Sequence, residues 1–293
     1  MKSAYIQLAL AMCLVGMNIT IGKIIVQTVP IFLFSNIRFL ISLLFLIPMT
    51  MMKGQSKFDL KPKEWIILFL QAFFGLFLYS IFMLYGVSHT SAISAGIITS
   101  TTPACIALIA FFFLKEKLSR TALISVLLAV LGISLITFRQ DGTGFSGSAL
   151  GNVFVVVAVI SEALFTIFAK PLSDKLQPIQ MASAVNLIGF IIFIPFSIQQ
   201  ILSVNVRIEP GTWLLIIYYA LTASVISFIL WYRGVAKVPA NVAGLFTVFM
   251  PVSAAITSIV FLKESFAISQ AIGMGLAVIA ILTGIRRPQR KSC

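Results

Sequence analysis

Charge is scarce in this chain: only 10% of its 293 residues are Asp, Glu, Lys or Arg. A soluble domain of this length carries roughly a quarter charged residues, so water is excluded as the solvent for most of its surface. Histidine is reduced to His89, and acids number 8. No His-Glu-x-x-His, no Gly-x-Ser-x-Gly and no pair of intramembrane aspartates occurs, so the usual intramembrane enzyme centres lack their parts. Cys13, Cys105 and Cys293 have no paired spacing, which suggests neither a disulfide framework nor a metal site. A phosphate-cradling glycine loop is missing too, as are a ring of like charges and a filter-like glycine run. An ATP-driven pump would need a separate subunit, and nothing supports a channel. No cofactor or metal is expected.

The chain is instead 60% hydrophobic, with a mean hydropathy of +1.09. Backbone groups in hydrocarbon must bond to one another, which leaves helices or closed barrels. Long unbroken apolar runs, in place of short alternating segments, select helices. Ten spans are read: 4–26, 31–51, 64–87, 92–114 and 121–138, then 150–170, 180–198, 212–232, 240–261 and 269–285. Turn residues such as Pro30, Gly54, Pro178 and Pro210 mark the junctions. The first run is too long for a signal-peptide core and is read as a retained span.

The net charge of +13 does not point to nucleic acid, because the basic residues sit singly or in small groups between apolar runs. With the N-terminus inside, sixteen fall on the cytoplasmic side, among them Lys53, Lys57, Lys61 and Lys63 in one loop. Lys23, Arg139, Arg207 and Lys263 fall on the other side, and Arg38 lies within a span. This bias places both termini in the cytoplasm.

An internal repeat is the strongest signal. Shifted by 148 positions, the fourth span lands without gaps on the ninth, with ten identities in 25 positions. Chance in such apolar composition gives about two or three. Ala95, Gly96, Thr99, Pro103, Lys115 and Glu116 match Ala243, Gly244, Thr247, Pro251, Lys263 and Glu264. The chain therefore divides into halves, 1–142 and 143–293, of five spans each. An odd number of spans inserts the second half upside down, and the second copy lacks the Lys117 and Arg120 of the first, having Ser265 and Ile268. Inverted halves give a pseudo-two-fold axis in the membrane plane, the basis of alternating access in carriers.

These features resemble the EamA family of the drug/metabolite transporter superfamily. The likeness rests on the 5+5 repeat, the Ala-Gly-x-x-Thr-x-x-x-Pro run in spans four and nine and the Phe-Leu-Lys-Glu endings. Ala9 to Lys23 followed by Asn36-Ile37-Arg38 adds to it. The resemblance implies an inner-membrane secondary transporter of amino acids, related metabolites or drugs. It also implies a cavity formed by spans one, three, four, six, eight and nine. The chain departs from the family pattern at Val15, where a Trp usually precedes Gly16, and at Glu162, where an apolar or aromatic residue is commoner.

Glu162 is the only acid deep in a span. A carboxylate there costs several kcal/mol if ionised, so it is protonated, paired or facing water. It is read as a proton-coupling site or a contact for a cationic substrate group, against the alternative of a neutral hydrogen-bonder between helices. Asn18, Tyr79, Thr99, Thr247 and Tyr219 are the further substrate-binding candidates. Pro103 and Pro251 break spans four and nine at matching points and free the carbonyls of Thr99 and Thr247. Broken helices at equivalent points of two repeats point to a midplane site. Arg38 is read as a side chain snorkelling to one face or paired within the bundle, for instance with Glu162, in preference to a carboxylate clamp. Lys23 and Lys170 are read as interfacial anchors, Trp231 and Tyr232 as aromatic-belt residues, and His89 as a solvated turn residue.

The expected function is transport of a small metabolite, an amino acid or derivative first, by alternating access. The alternatives are a multidrug or cationic-metabolite transporter of the same fold, or a non-transporting membrane scaffold or sensor. The expected partners are a small-molecule substrate, coupled protons and lipid, with no nucleic acid, in a monomer or homodimer.

Overall fold

Hydrocarbon offers a backbone no partners but its own, and the apolar runs fold accordingly. The structure, a computed structural model, describes residues 2–55, 58–114, 149–173, 175–203, 207–238, 243–244, 246–263 and 275. Every regular element among the described residues is helical. Six of the helices are long and apolar enough to cross a membrane, which makes this a multi-pass all-α membrane protein.

Helices α1 (Lys2–Ile25) and α2 (Ile31–Met52) each fill one expected span. The third joins α3 (Pro62–Ala72) to α4 (Tyr79–His89) through a π-helical turn, Phe73–Leu78. The fourth is broken into α5 (Ala92–Thr99) and α6 (Thr102–Leu114). Helices α7 (Ala149–Ser173) and α8 (Pro178–Ser203) supply the sixth and seventh. The eighth joins α9 (Pro210–Tyr219) to α10 (Ser227–Val235) through a second π-helical turn, Ala220–Ile226. A 3₁₀ turn at Phe246–Val248, then α11 (Phe249–Thr257) and a π-helical turn, Ser258–Leu262, represent the ninth. Spans five and ten (apart from position 275), Lys115, Glu116 and Glu264 lie outside the described residues.

The break in the fourth span has a local cause. Pro103 has no N–H to give the Thr99 carbonyl, and the Thr102 hydroxyl bonds that carbonyl instead, at 2.7 Å. Thr99, Ser100 and Thr101 likewise turn their hydroxyls to carbonyls three residues back, at 2.6, 2.5 and 2.8 Å. A run of four hydroxyl residues thus caps the end of α5 where the helix cannot continue. The equivalent Thr247 bonds the Gly244 carbonyl at 2.8 Å, the same bond that Thr99 makes to Gly96 148 positions earlier.

Side-chain contacts fix the register of the bundle. Helix α2 runs antiparallel to α8, since Leu33 N–H meets Gln200 Oε1 at 2.9 Å, Asn36 meets Ser197 at 2.6 Å and Thr50 meets Ser183 at 2.7 Å. Helix α1 runs antiparallel to the eighth span, with Asn18 on Thr222 at 2.9 Å and Gly234 against Leu8. The third span and α7 are antiparallel too: Gly75 faces Phe165, Gly86 faces Val155, and Thr90 donates to Asn152 Oδ1 at 2.7 Å. At Gly16, α1 comes so close to α11 that an added Cβ would lie 2.3 Å from the Met250 carbonyl oxygen. Close approach of this kind is how helices associate where hydrocarbon supplies no hydrophobic drive.

The two π-helical turns of spans three and eight fall at matching places. Moved by 148 positions, 73–78 becomes 221–226, against the observed Ala220–Ile226. Turns of this kind are rare and gather at functional sites.

Candidate functional site

A central cavity opens beside these two turns. It is lined from α1, α2, the third span, α7 and the eighth span. Four pairs of lining residues are 148 positions apart: Asn18 and Thr166, Gly75 and Ala223, Tyr79 and Ser227, Met83 and Trp231. The wall therefore repeats itself across the two halves, while the side chains differ in polarity and size.

Glu162 projects from α7 into this cavity. Its side-chain partner is the Thr102 hydroxyl, 3.3 Å from Oε2, so the broken fourth span touches the site through one residue of α6. Tyr79, half-buried at the start of α4, lines the same space within electrostatic reach of Glu162, Arg38 and Tyr219. Tyr219 stands edge-on to Phe34, with ring centroids 5.0 Å apart. Asn18 also lines the cavity, and its amide bonds the Leu14 carbonyl at 2.8 Å as well as Thr222.

Four of the six residues expected to bind substrate thus meet around one space: Glu162, Asn18, Tyr79 and Tyr219. Thr99 and Thr247 do not. Both are fully buried, with hydroxyls bonded inside their own helices, and among the described residues spans four and nine line no part of the cavity. Pro103 and Pro251 act behind the wall.

Arg38 is held within the bundle, one of its two expected placements, but on Ser80 and two aromatic rings. It neither snorkels nor pairs with Glu162: it is 6% exposed, lines the cavity and donates to Ser80 Oγ at 2.5 Å. Its guanidinium carbon sits 4.3 Å from the Phe39 ring centroid and 5.3 Å from that of Tyr219. Trp231 and Tyr232 are not belt residues either. Both are buried; Trp231 lines the cavity, and the Tyr232 hydroxyl accepts a bond from Gln71 at 3.0 Å. His89 is exposed at the end of α4, as expected.

Lys23 and Lys170 also do more than anchor. Lys23 Nζ donates to the Thr90 carbonyl at 2.9 Å. Lys170 Nζ donates to the carbonyls of Val235 and Val238 at 3.2 and 3.4 Å. Thr90 and Val238 are 148 positions apart. Each lysine thus caps the C-terminal end of a cavity-lining span, where orphan carbonyls and the helix dipole favour a cation.

Sequence reading alone passed over Thr102, Thr166, Phe165, Ser227 and Phe228. Two of these were recoverable, since adding 148 to Asn18 and Tyr79 gives Thr166 and Ser227.

Comparison with known proteins bears on the family and the fold. The family model described as the EamA-like transporter family matches residues 2–138 and again 149–284. A Bacillus subtilis (strain 168) protein named uncharacterized transporter YetK is 41% identical over 292 residues, covering 98% of this chain and 88% of its own. An Archaeoglobus fulgidus protein named uncharacterized transporter is 24% identical over 284 residues, covering 97% of this chain and 99% of its own. One crystal structure superposes with a TM-score of 0.71 at 18% identity, over 97% of this chain and 96% of the other, which speaks for the fold alone. By the family match over both halves and the identity to a full-length relative, the chain belongs to the EamA-like transporter family.

Proposed function

We propose that the chain is a secondary transporter that moves a small amphiphilic metabolite, an amino acid or derivative foremost, across the cytoplasmic membrane by alternating access. Its ten spans form two inverted five-helix halves with both termini in the cytoplasm. The carrying observation is the placement of Glu162 in a cavity whose lining recurs at 148-residue spacing in both halves. A carboxyl with one hydroxyl partner among the described residues, open to that cavity, is available to exchange a proton or to hold an amine. Antiparallel packing of the third span with α7, and of α1 with the eighth span, supports inversion of the halves. Rocking one half against the other around a fixed midplane site would then open the cavity to each side in turn.

A carrier for cationic metabolites or drugs is the second reading. It is favoured by the Phe165–Phe228 stack, with centroids 5.8 Å apart, beside Glu162 on the cavity wall. The test is uptake into proteoliposomes of labelled amino acids and cationic metabolites, with and without a pH gradient, for wild type and Glu162→Gln. Loss of gradient-driven uptake with exchange retained assigns proton coupling to Glu162. Loss confined to cationic substrates assigns recognition. Wild-type behaviour of the variant on every substrate refutes both roles.

A further inference from the structure

We propose that Arg38 anchors an acidic group, a carboxylate, of the transported molecule; the proposal rests on the reading of the central cavity as the transport site. The argument begins with what the protein does not supply. A guanidinium has five N–H donors and no acceptor. For Arg38 the described residues accept one of them, at Ser80 Oγ, and buried Nε has no acceptor. No carboxylate among the described residues lies in ion-pair range of Arg38, the one ion pair there being Lys175 with Glu64. A buried charge left in this condition costs several kcal/mol unless paired and hydrogen-bonded. The Phe39 and Tyr219 rings recover part of that through cation–π contact. They offer no acceptor in the guanidinium plane.

The surroundings hold the fork ready. Phe39 is the next residue on α2, Tyr219 ends α9, and Ser80 lies in α4 directly after the first π-helical turn. Three elements therefore fix the group that lines the cavity. A planar, pre-positioned fork suits the two oxygens of a carboxylate, and a bidentate pair of this kind is roughly twice as strong as neutral hydrogen bonds.

Glu162 stands at the same height. The facing pairs Gly75–Phe165 and Gly86–Val155 register the third span against α7, which brings Glu162 level with Tyr79, next to the Ser80 that holds Arg38. One layer of the cavity is thus bounded by a cation and an acid, and Tyr79 lines the same space. A substrate laid across this layer would present its acid to Arg38 and its amine or apolar body toward Glu162, Phe165 and Phe228.

The test uses equilibrium binding to the full chain in detergent, read as thermal stabilisation. The ligands are two matched series: phenylalanine, phenylalaninamide and phenethylamine, then leucine, leucinamide and isopentylamine. Wild type is expected to bind at least one free acid, and to bind it about tenfold or more tightly than its amide or amine. In Arg38→Gln the acid-to-amide ratio should fall below about twofold, and Arg38→Lys, which keeps charge without the fork, should fall between. The inference is overturned if wild type binds no acid of either series, if amides or amines bind as well as acids, or if Arg38→Gln keeps the wild-type ratio. The ligand comparison in wild type decides the matter even where a variant fails to fold. Binding without flux would uphold the anchor and refute the transporter reading; flux indifferent to amidation would do the reverse.

Discussion

Thr102 Oγ1 carries a single proton and faces two acceptors, the Thr99 carbonyl at 2.7 Å and Glu162 Oε2 at 3.3 Å. When Glu162 is ionised these acceptors compete for the one hydrogen. When it is protonated, its own O–H can donate to Thr102, whose hydrogen then belongs to Thr99. The hydroxyl therefore ties the state of the cavity acid to the carbonyl that Pro103 sets free. Thr102→Val should leave the buried Thr99 carbonyl and the cavity-facing Glu162 carboxyl without their donor and lower stability by about 1–3 kcal/mol, while Thr102→Ser should restore it. A thermal melt in detergent is the check, and equal melting of Thr102→Val and wild type would remove Thr102 from the network. This contact lay beyond sequence reading, because nothing in a run of Thr and Ser says which hydroxyl meets a residue sixty positions away. Arg38 was closer to legible. Ser35 and Ser42 share its face of α2 and are fully buried, and small hydroxyl residues three and four positions either side of an arginine indicate a packed face. Trp231 and Tyr232 were misplaced because the eighth span runs on to Val235 and Gln71 supplies the hydroxyl's partner.

At the scale of elements, apolar run length located α1, α2, α7 and α8 to within a few residues. That signal survives because a membrane-crossing helix must be about twenty residues long. The proline break in span four was legible for the same kind of reason, being chemistry local to one residue. The π-helical turns were not: one extra residue per turn within a largely apolar run leaves no residue type that marks it. The π-helical turns of spans three and eight contribute to the cavity wall, whereas Pro103 and Pro251 do not line it. If the breaks serve as hinges, mending one should stiffen the protein. Pro103→Ala restores an N–H for the Thr99 carbonyl and should raise the melting temperature while lowering exchange in proteoliposomes by about tenfold. Pro251→Ala should do the same from the other half. Unchanged exchange in both variants would make the breaks packing features and no more.

For the whole molecule, the important relation is between its two ends. Lys23 holds the end of the bundle at Thr90, where the third span finishes beside the start of α7. Lys170 holds the opposite end, at Val235 and Val238, where the eighth span finishes beside the start of α1. In the proposed topology, with both termini cytoplasmic, the first clasp would face outward and the second inward, with the cavity between them. A hydrogen bond from a charged donor contributes about 1.5–3 kcal/mol, enough to shift a two-state equilibrium by tenfold or more. Removing one clasp should therefore favour the conformation open at that end. The measurement is labelling of a single cysteine at Ser227, in a background without Cys13, Cys105 and Cys293, by a membrane-impermeant thiol reagent applied to each side separately. Lys23→Met should speed labelling from outside and slow it from inside, and Lys170→Met should do the opposite. The proposed inversion of the halves requires this reversal of sign, so a change in the same direction for both variants would mean that the lysines stabilise the bundle without governing which end opens.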